Sequence, residues 1–269
     1  MTNYIHITVD FDWIPGSQKS VPKLFELFQK YDVRPVLFFT GSFATAYPEI
    51  LQQAMRLGYE IGSHGLNHGL DDNENFGIHT SYERQKELIS KCTDIIAQIT
   101  SAEPVLFRAP QLNISSTTFE VLTELGYKID SSVPTRRFDF GGGSVNSLKY
   151  FANPCKPYTI PTKNGTILEI PPSACLLPLN MRLLRTFPYQ FVRGFSAILA
   201  KIHHPLVFYL HPTEFVQISK MKLPEGYPKG FYSGCGEHNF AALERFLRLL
   251  QDRGIRSEFM LRDKPQVVL

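Results

Sequence analysis

The chain has 269 residues, 43% of them hydrophobic and 20% charged, with 28 Lys+Arg against 25 Asp+Glu for a formal charge of +3. That is the composition of a folded globular protein, and it excludes wholesale disorder, a collagen-like repeat and a coiled coil. No basic run suits a nucleic-acid backbone, no stretch reaches the ~18 apolar residues of a membrane-spanning helix, and the cysteines Cys92, Cys155, Cys175 and Cys235 are too scattered for a disulfide framework. Met1 to Asp10 lacks the basic segment and long apolar run of an export signal, so the sequence predicts a cytoplasmic protein.

Taken in chain order, Tyr4 to Val9 reads as a strand, and Val21, Leu24, Phe25 and Phe28 stand at helical spacing after it. Val36 to Phe39 is a buried-type strand; a helix through Ile50, Leu51 and Ala54 closes at Gly58, and Glu60 to Ser63 is the next strand. Thr80 with Glu83 forms a capping-box pattern for a long helix to about Ile99. Strand Val105 to Phe107, helix Thr117 to Leu125 closed by Gly126, and strand Tyr127 to Asp130 follow. The rhythm breaks between 136 and 172, an elaborated loop region with only Thr166 to Ile170 as strand. It resumes with one helical stretch inside Leu183 to Ile202, strand Leu206 to Leu210, helix Asn239 to Arg253, and a last strand Ser257 to Leu261. Strands alternating with helices in this way argue for one α/β domain over residues 1–269, a mostly parallel sheet closed into a barrel.

Barrel enzymes place their chemistry where strands end, and polar residues crowd those positions here. Asp10-Phe11-Asp12 ends the first strand, His64 with His68 the third, Arg108-Ala109-Pro110 the fourth and His211-Pro212 a late one. Two imidazoles four apart on a helical turn, with Asp12, would hold one divalent ion and leave a position open for water. Asp10 is then the candidate base, Arg108 the residue that orients it, and His211 the candidate acid. Taken singly, each pattern also has a structural use: His-x-x-x-His in packing, Asp-x-Asp as a helix cap, Arg-x-Pro as a turn. Their joint placement at strand ends is what favours a catalytic centre.

The segments Thr8 to Asp12, Ser63 to His68, Phe107 to Pro110, Tyr127 to Ser132 and Leu210 to Pro212 resemble the successive motifs of the polysaccharide deacetylase (NodB-homology) family, in family order over residues 4 to 215. The resemblance implies a distorted (β/α)7-type barrel and metal-dependent hydrolysis of an acyl group, usually acetyl on an amino sugar. It implies Asp12, His64 and His68 as ligands of one divalent ion, with Zn2+ foremost and Co2+, Ni2+, Mn2+ or Fe2+ as alternatives. Asp10 is then the base, Arg108 its orienting partner, His211 the acid, and the Gln111 main-chain N–H the oxyanion donor. Phe11 between the aspartates makes the chain resemble the family's Asp-x-Asp subgroup. The fourth-motif tryptophan is missing, since the sole Trp is Trp13, and Asp130 is a candidate for tuning His211.

With no export signal, the expected substrate is an N-acylated amino sugar on a nucleotide- or lipid-linked glycan, with release of acetate or formate. Hydrolysis of a non-sugar C–N bond, or an inactive carbohydrate-binding relative, are the alternatives. Residues 176–202 mix Leu, Phe and Tyr with Arg182, Arg185, Arg193 and Lys201, which suits a barrel helix with snorkelling basic residues and also peripheral contact with an anionic membrane surface. The loops 136–161 and 226–232 are expected to frame the substrate opening.

Overall fold

Period-two alternation in β1 (Tyr4–Phe11) sends Ile5, Ile7, Val9 and Phe11 to one face and His6, Thr8 and Asp10 to the other, and both faces are buried. In the computed structural model, which describes residues 4–12, 14, 16–68, 76, 80–137, 151–218 and 233–263, the first set packs under helices and the second points inward across a curled sheet. Trp13 and most of the two loops expected to frame the opening lie outside the described residues.

After β1 come α1 (Val21–Lys30), β2 (Pro35–Phe39), α2 (Gly41–Ala46), α3 (Pro48–Arg56), β3 (Glu60–Ser63), α4 (Tyr82–Thr100), β4 (Leu106–Phe107), α5 (Ser116–Glu124) and β5 (Ile129–Asp130). They are followed by β6 (Tyr158–Thr162), β7 (Gly165–Glu169), β8 (Ala174–Cys175), β9 (Leu177–Pro178), α6 (Met181–Thr186), α7 (Tyr189–Ile202), β10 (Leu206–Leu210), α8 (Asn239–Asp252) and β11 (Arg256–Ser257). The sheet order is β10-β1-β2-β3-β4-β5-β7-β6, parallel throughout except for the β6–β7 hairpin, with β11 added beside the start of β1. Alternation repeats in the neighbours: Leu37, Phe39, Phe208 and Leu210 join the layer under the helices, while Val36, Phe38 and Val207 fill the interior with Leu106, Ile129 and Met260. This is an α/β fold of the (β/α)7 kind.

The barrel is distorted, as expected: among the described residues its sheet curls without closing on itself. Between β7 and β10 the gap is crossed by irregular chain: Ile170 N–H donates to Asp130 O (2.8 Å), then Ser173 N–H to Val207 O (3.2 Å), and Tyr209 N–H to Leu179 O (3.4 Å).

Local chemistry explains the departures from the expected elements. The single helix expected inside Leu183 to Ile202 is two, because Pro188 has no N–H to continue α6 and Phe187 before it is extended. Ser81 rather than Thr80 caps α4, accepting from Arg84 N–H. The last strand stops at Ser257 because the Glu60 carboxylate accepts the N–H groups of Met260 and Leu261 (2.8 and 3.1 Å) and holds them in a 3-10 turn. Helix α2 and strand β6 were not legible. α7 buries Val192, Ser196 and Leu199 and leaves Phe191 and Ile198 exposed, and no helix among the described residues is long and apolar enough to cross a membrane.

Candidate metal centre and active site

Because side chains two apart on a strand share a face, Asp10 and Asp12 both turn inward at the end of β1, while Phe11 between them stacks on Phe39 in the core (ring centroids 4.2 Å apart). Across from them, His64 and His68 follow β3. They do not sit on a helical turn: Gly65 has φ 75° and His68 φ 69°, and this irregular loop brings the two rings to 5.2 Å. A side chain at position 65 would also crowd Pro110, since a Cβ there would stand 2.9 Å from its Cγ. Helix α2 holds the loop in place, donating Gly41 N–H to Gly65 O (3.0 Å) and Ser42 N–H to Leu66 O (2.8 Å).

Asp12 Oδ1 stands 3.3 Å from His64 Nε2 and 3.4 Å from His68 Nε2. His64 Nδ1 donates to the Arg108 carbonyl at 2.8 Å; a carbonyl can only accept, so in the neutral ring the lone pair is at Nε2. Asp12 Oδ1 and His64 Nε2 are nevertheless buried without a hydrogen-bond partner, a condition that costs about 1–3 kcal/mol per group. One ligand atom from each of Asp12, His64 and His68 lies within 4.8 Å of the others. Two imidazoles and a carboxylate converging on a point where their own atoms are unsatisfied fit a divalent cation, with a further position open.

The electrostatics agree with that donor set at Asp12 and His68. Burial pushes the Asp12 carboxyl up, but His68, His211 and His64 outweigh it and hold it well below the usual carboxylate range. Burial, only partly offset by Asp12, keeps His68 below the ordinary imidazole value. His64 moves the other way: burial lowers it, but Asp10 and Asp12 together raise it.

Arg108, with no exposed surface, spans the interior. Its Nη1 donates to Asp10 Oδ1 (3.0 Å) and Thr8 Oγ1 (2.5 Å), its Nε to Ser131 O (2.9 Å) and its Nη2 to Ser131 Oγ (2.8 Å). His211, at the end of β10, turns Nε2 toward Asp10 Oδ2 (3.8 Å) and Asp12 Oδ2 (3.9 Å). Burial lowers His211, but Asp12, Glu214 and Asp10 raise it further, to about 9. Gln111 lies in the turn Pro110–Leu112 after β4, in a left-handed conformation (φ 55°).

Asp130 is the exception among the expected residues. Its oxygens accept from Ser132 Oγ (2.6 Å) and Ser132 N–H (3.1 Å), and it is buried beside Glu169; burial raises both carboxyls, and Asp130 adds to the rise of Glu169. The carboxylate that faces the outer nitrogen of His211 is Glu214, with Oε2 3.5 Å from Nδ1. The sequence signal for Glu214 was the spacing His211-Pro212-Thr213-Glu214, an acidic residue three beyond the first residue of a Pro-initiated turn.

Residues 2–129 match the family model described as polysaccharide deacetylase, and residues 130–253 match a domain of unknown function, DUF3473. The chain is 28% identical over 118 residues to a peptidoglycan deacetylase of Helicobacter pylori, a match spanning 44% of the chain and 38% of that relative. It is 26% identical over 124 residues to a peptidoglycan-N-acetylglucosamine deacetylase of Bacillus cereus, spanning 45% of the chain and 54% of that relative. The chain therefore aligns with about half or less of the length of these curated relatives. Among solved structures, a family 4 carbohydrate esterase of Streptomyces lividans in complex with acetate superposes with TM-score 0.56 at 14% identity, covering 96% of the chain and 93% of that structure. A CE4 family pseudoenzyme of Bacillus anthracis gives 0.59 at 11% identity, covering 97% and 65%; at such identities these two speak for the fold. With its motifs in family order, its fold of the family's kind and residues 2–129 matched by the family model, the chain resembles the polysaccharide deacetylase family over its first half.

Proposed function

We propose that the chain is a metal-dependent hydrolase that removes an N-acyl group, acetyl foremost, from an amino sugar within a glycan. The observation that carries this reading is the buried, mutually facing Asp12 Oδ1 and His64 Nε2, both without a hydrogen-bond partner, with His68 completing a three-ligand face. The names of the relatives support an N-acetylglucosamine polymer as the substrate class, and nucleotide- or lipid-linked glycans carry the same acylated amine. The two halves matched by separate family models act as one catalytic unit in this reading, since β5 at their junction pairs with β4 on one side and β7 on the other.

Asp12, His64 and His68 would hold the ion. When bound, a zinc-class ion supplies Lewis acidity and a water of lowered pKa. Asp10, oriented by Arg108, takes the proton of the attacking water as its oxygen bonds to the acyl carbon. The main-chain N–H of Gln111 is the assigned donor to the oxygen that gains charge, a contribution typically near 3 kcal/mol. His211 Nε2 gives its proton to the nitrogen as the C–N bond breaks. Asp10 then loses its proton to solvent and His211 regains one, so water and amide become carboxylic acid and amine.

The test is metal content of wild type and His68→Ala together with acid released from a panel of N-acetyl and N-formyl amino sugars, free, nucleotide-linked and lipid-linked. Near-stoichiometric zinc or a similar ion, reduced in the variant, with acid from at least one substrate is the expected result. A wild type that takes up no metal when zinc is supplied, and hydrolyses nothing, would leave an inactive carbohydrate-binding relative.

A further inference from the structure

The segment matched by the family model of unknown function supplies more than the far side of a barrel. His211 is its only contact with the Asp10–Asp12 pair among the ion pairs of the described residues, and His211 is itself gripped by a buried chain of charges. Glu214 is 8% exposed, and its Oε2 accepts the main-chain N–H of His211 at 2.9 Å while facing Nδ1 of the same residue at 3.5 Å. Its Oε1 accepts from Arg185 Nη1 at 2.8 Å, and the same nitrogen reaches Cys235 Sγ at 3.3 Å. The carbonyl of Glu214 is bound in turn by Asn239 Nδ2 (2.7 Å) and Gly236 N–H (3.1 Å). Helix α6 therefore holds the Glu214 carboxylate, while the turn before α8 and the start of α8 hold its main-chain carbonyl.

A buried carboxylate with one oxygen on a guanidinium is a costly feature unless its other oxygen has work to do. That oxygen meets His211 once at the main chain and once at the ring, so its 3.5 Å approach to Nδ1 is the contact that favours one orientation of the imidazole. With Nδ1 facing Glu214, Nε2 is left toward Asp10 and Asp12, where the scissile bond must lie. We propose that Glu214, held by Arg185, is the positioning residue of the general acid: it orients the ring of His211 so that Nε2 faces the C–N bond to be cleaved. This rests on the hydrolase reading above. Asp130, in contrast, is engaged by Ser132 and by the neighbouring Glu169.

The experiment compares substrates that differ in their need for an acid. An amide nitrogen must be protonated to leave, whereas 4-nitrophenolate departs unaided. Glu214→Gln keeps a carbonyl oxygen for the His211 N–H and removes the charge. It is expected to lower kcat on N-acetylglucosamine oligosaccharides by about 10²-fold while changing 4-nitrophenyl acetate hydrolysis only slightly, with little change in KM for either. Arg185→Met is expected to act in the same direction and more weakly. As a readout independent of turnover, the ring-nitrogen NMR shifts of His211 in the full chain should change in Glu214→Gln. Equal loss on amide and ester, or His211 shifts that do not move, would overturn the role. If the wild type is inert toward both substrates, the hydrolase reading fails while the ring-nitrogen comparison still decides whether Glu214 governs His211.

Discussion

Arg108 reaches across the interior of the barrel to Asp10, Nη1 to Oδ1 at 3.0 Å, and neither side chain has more than 4% of its surface exposed. The guanidinium is tied to Ser131 by two further hydrogen bonds and stacked over the Phe38 ring at 4.6 Å, so its position is set by β2 and by the turn after β5 rather than by solvent. Asp10 is thus held against a scaffold that does not move with the substrate.

Removing one partner of a buried, hydrogen-bonded pair leaves the other charge uncompensated. Arg108→Met is expected to destabilise the fold by about 3–5 kcal/mol in urea unfolding, whereas Arg108→Lys, which keeps the charge and loses the planar fork, should cost less yet still depress turnover. Equal stability of wild type and Arg108→Met would show that Asp10 needs no partner.

Metal should act on stability as well as on turnover, because the three donors converge only in the folded chain. Zinc at about 100 times its Kd should add about 2.7 kcal/mol to unfolding stability, and EDTA should take it away. In His68→Ala the thermal shift on adding zinc should largely vanish. A variant that responds to zinc as strongly as wild type would remove His68 from the ligand set.

The two carboxylates offered for His211 can be separated by pH. Asp130→Asn leaves Glu214 in place and should keep the limb of the kcat profile that reports the acid, while Glu214→Gln should displace it toward lower pH, since one of the charges that raise His211 is gone. Displacement by Asp130→Asn alone would restore Asp130 as the tuning residue.

Glu60, at the opposite end of the barrel, predicts a pH dependence of stability. Burial raises its pKa to about 7, even though Leu261 and Met260 donate to it. A carboxyl with a raised folded pKa binds its proton more tightly in the native chain. Its contribution is therefore full below the unfolded value near 4.5 and is lost as pH rises through about 7. Glu60→Gln should flatten the fall in melting temperature between about pH 4 and about pH 8, an interval that brackets that window of roughly 2.5 units. An unchanged slope would mean that Glu60 stays ionised throughout.

Much of the centre was legible because its logic is local. Asp10 and Asp12 share a face by the period of a strand, and Thr8 beside them lines the same interior; the strand itself was readable from Tyr4 to Val9 and extends to Phe11. His64 and His68 were identified by spacing, although the reason given for that spacing, a helical turn, is not how the loop achieves it. The hairpin of β6 with β7 escaped notice because Tyr158–Thr162 is half exposed and carries Pro161, so it has neither a buried run nor a clean alternation to betray it.

What the sequence determined by itself, then, is the succession of elements and the chemistry at each strand end, since hydrophobic period, caps and prolines act within a few residues of themselves. The tertiary structure alone decided which carboxylate meets His211, how irregular chain bridges the gap between β7 and β10, and where Arg185 finds its partner. These depend on how irregular chain packs across the barrel, where Glu214 and Asp130 differ in the atoms that surround them, and no local pattern encodes that difference.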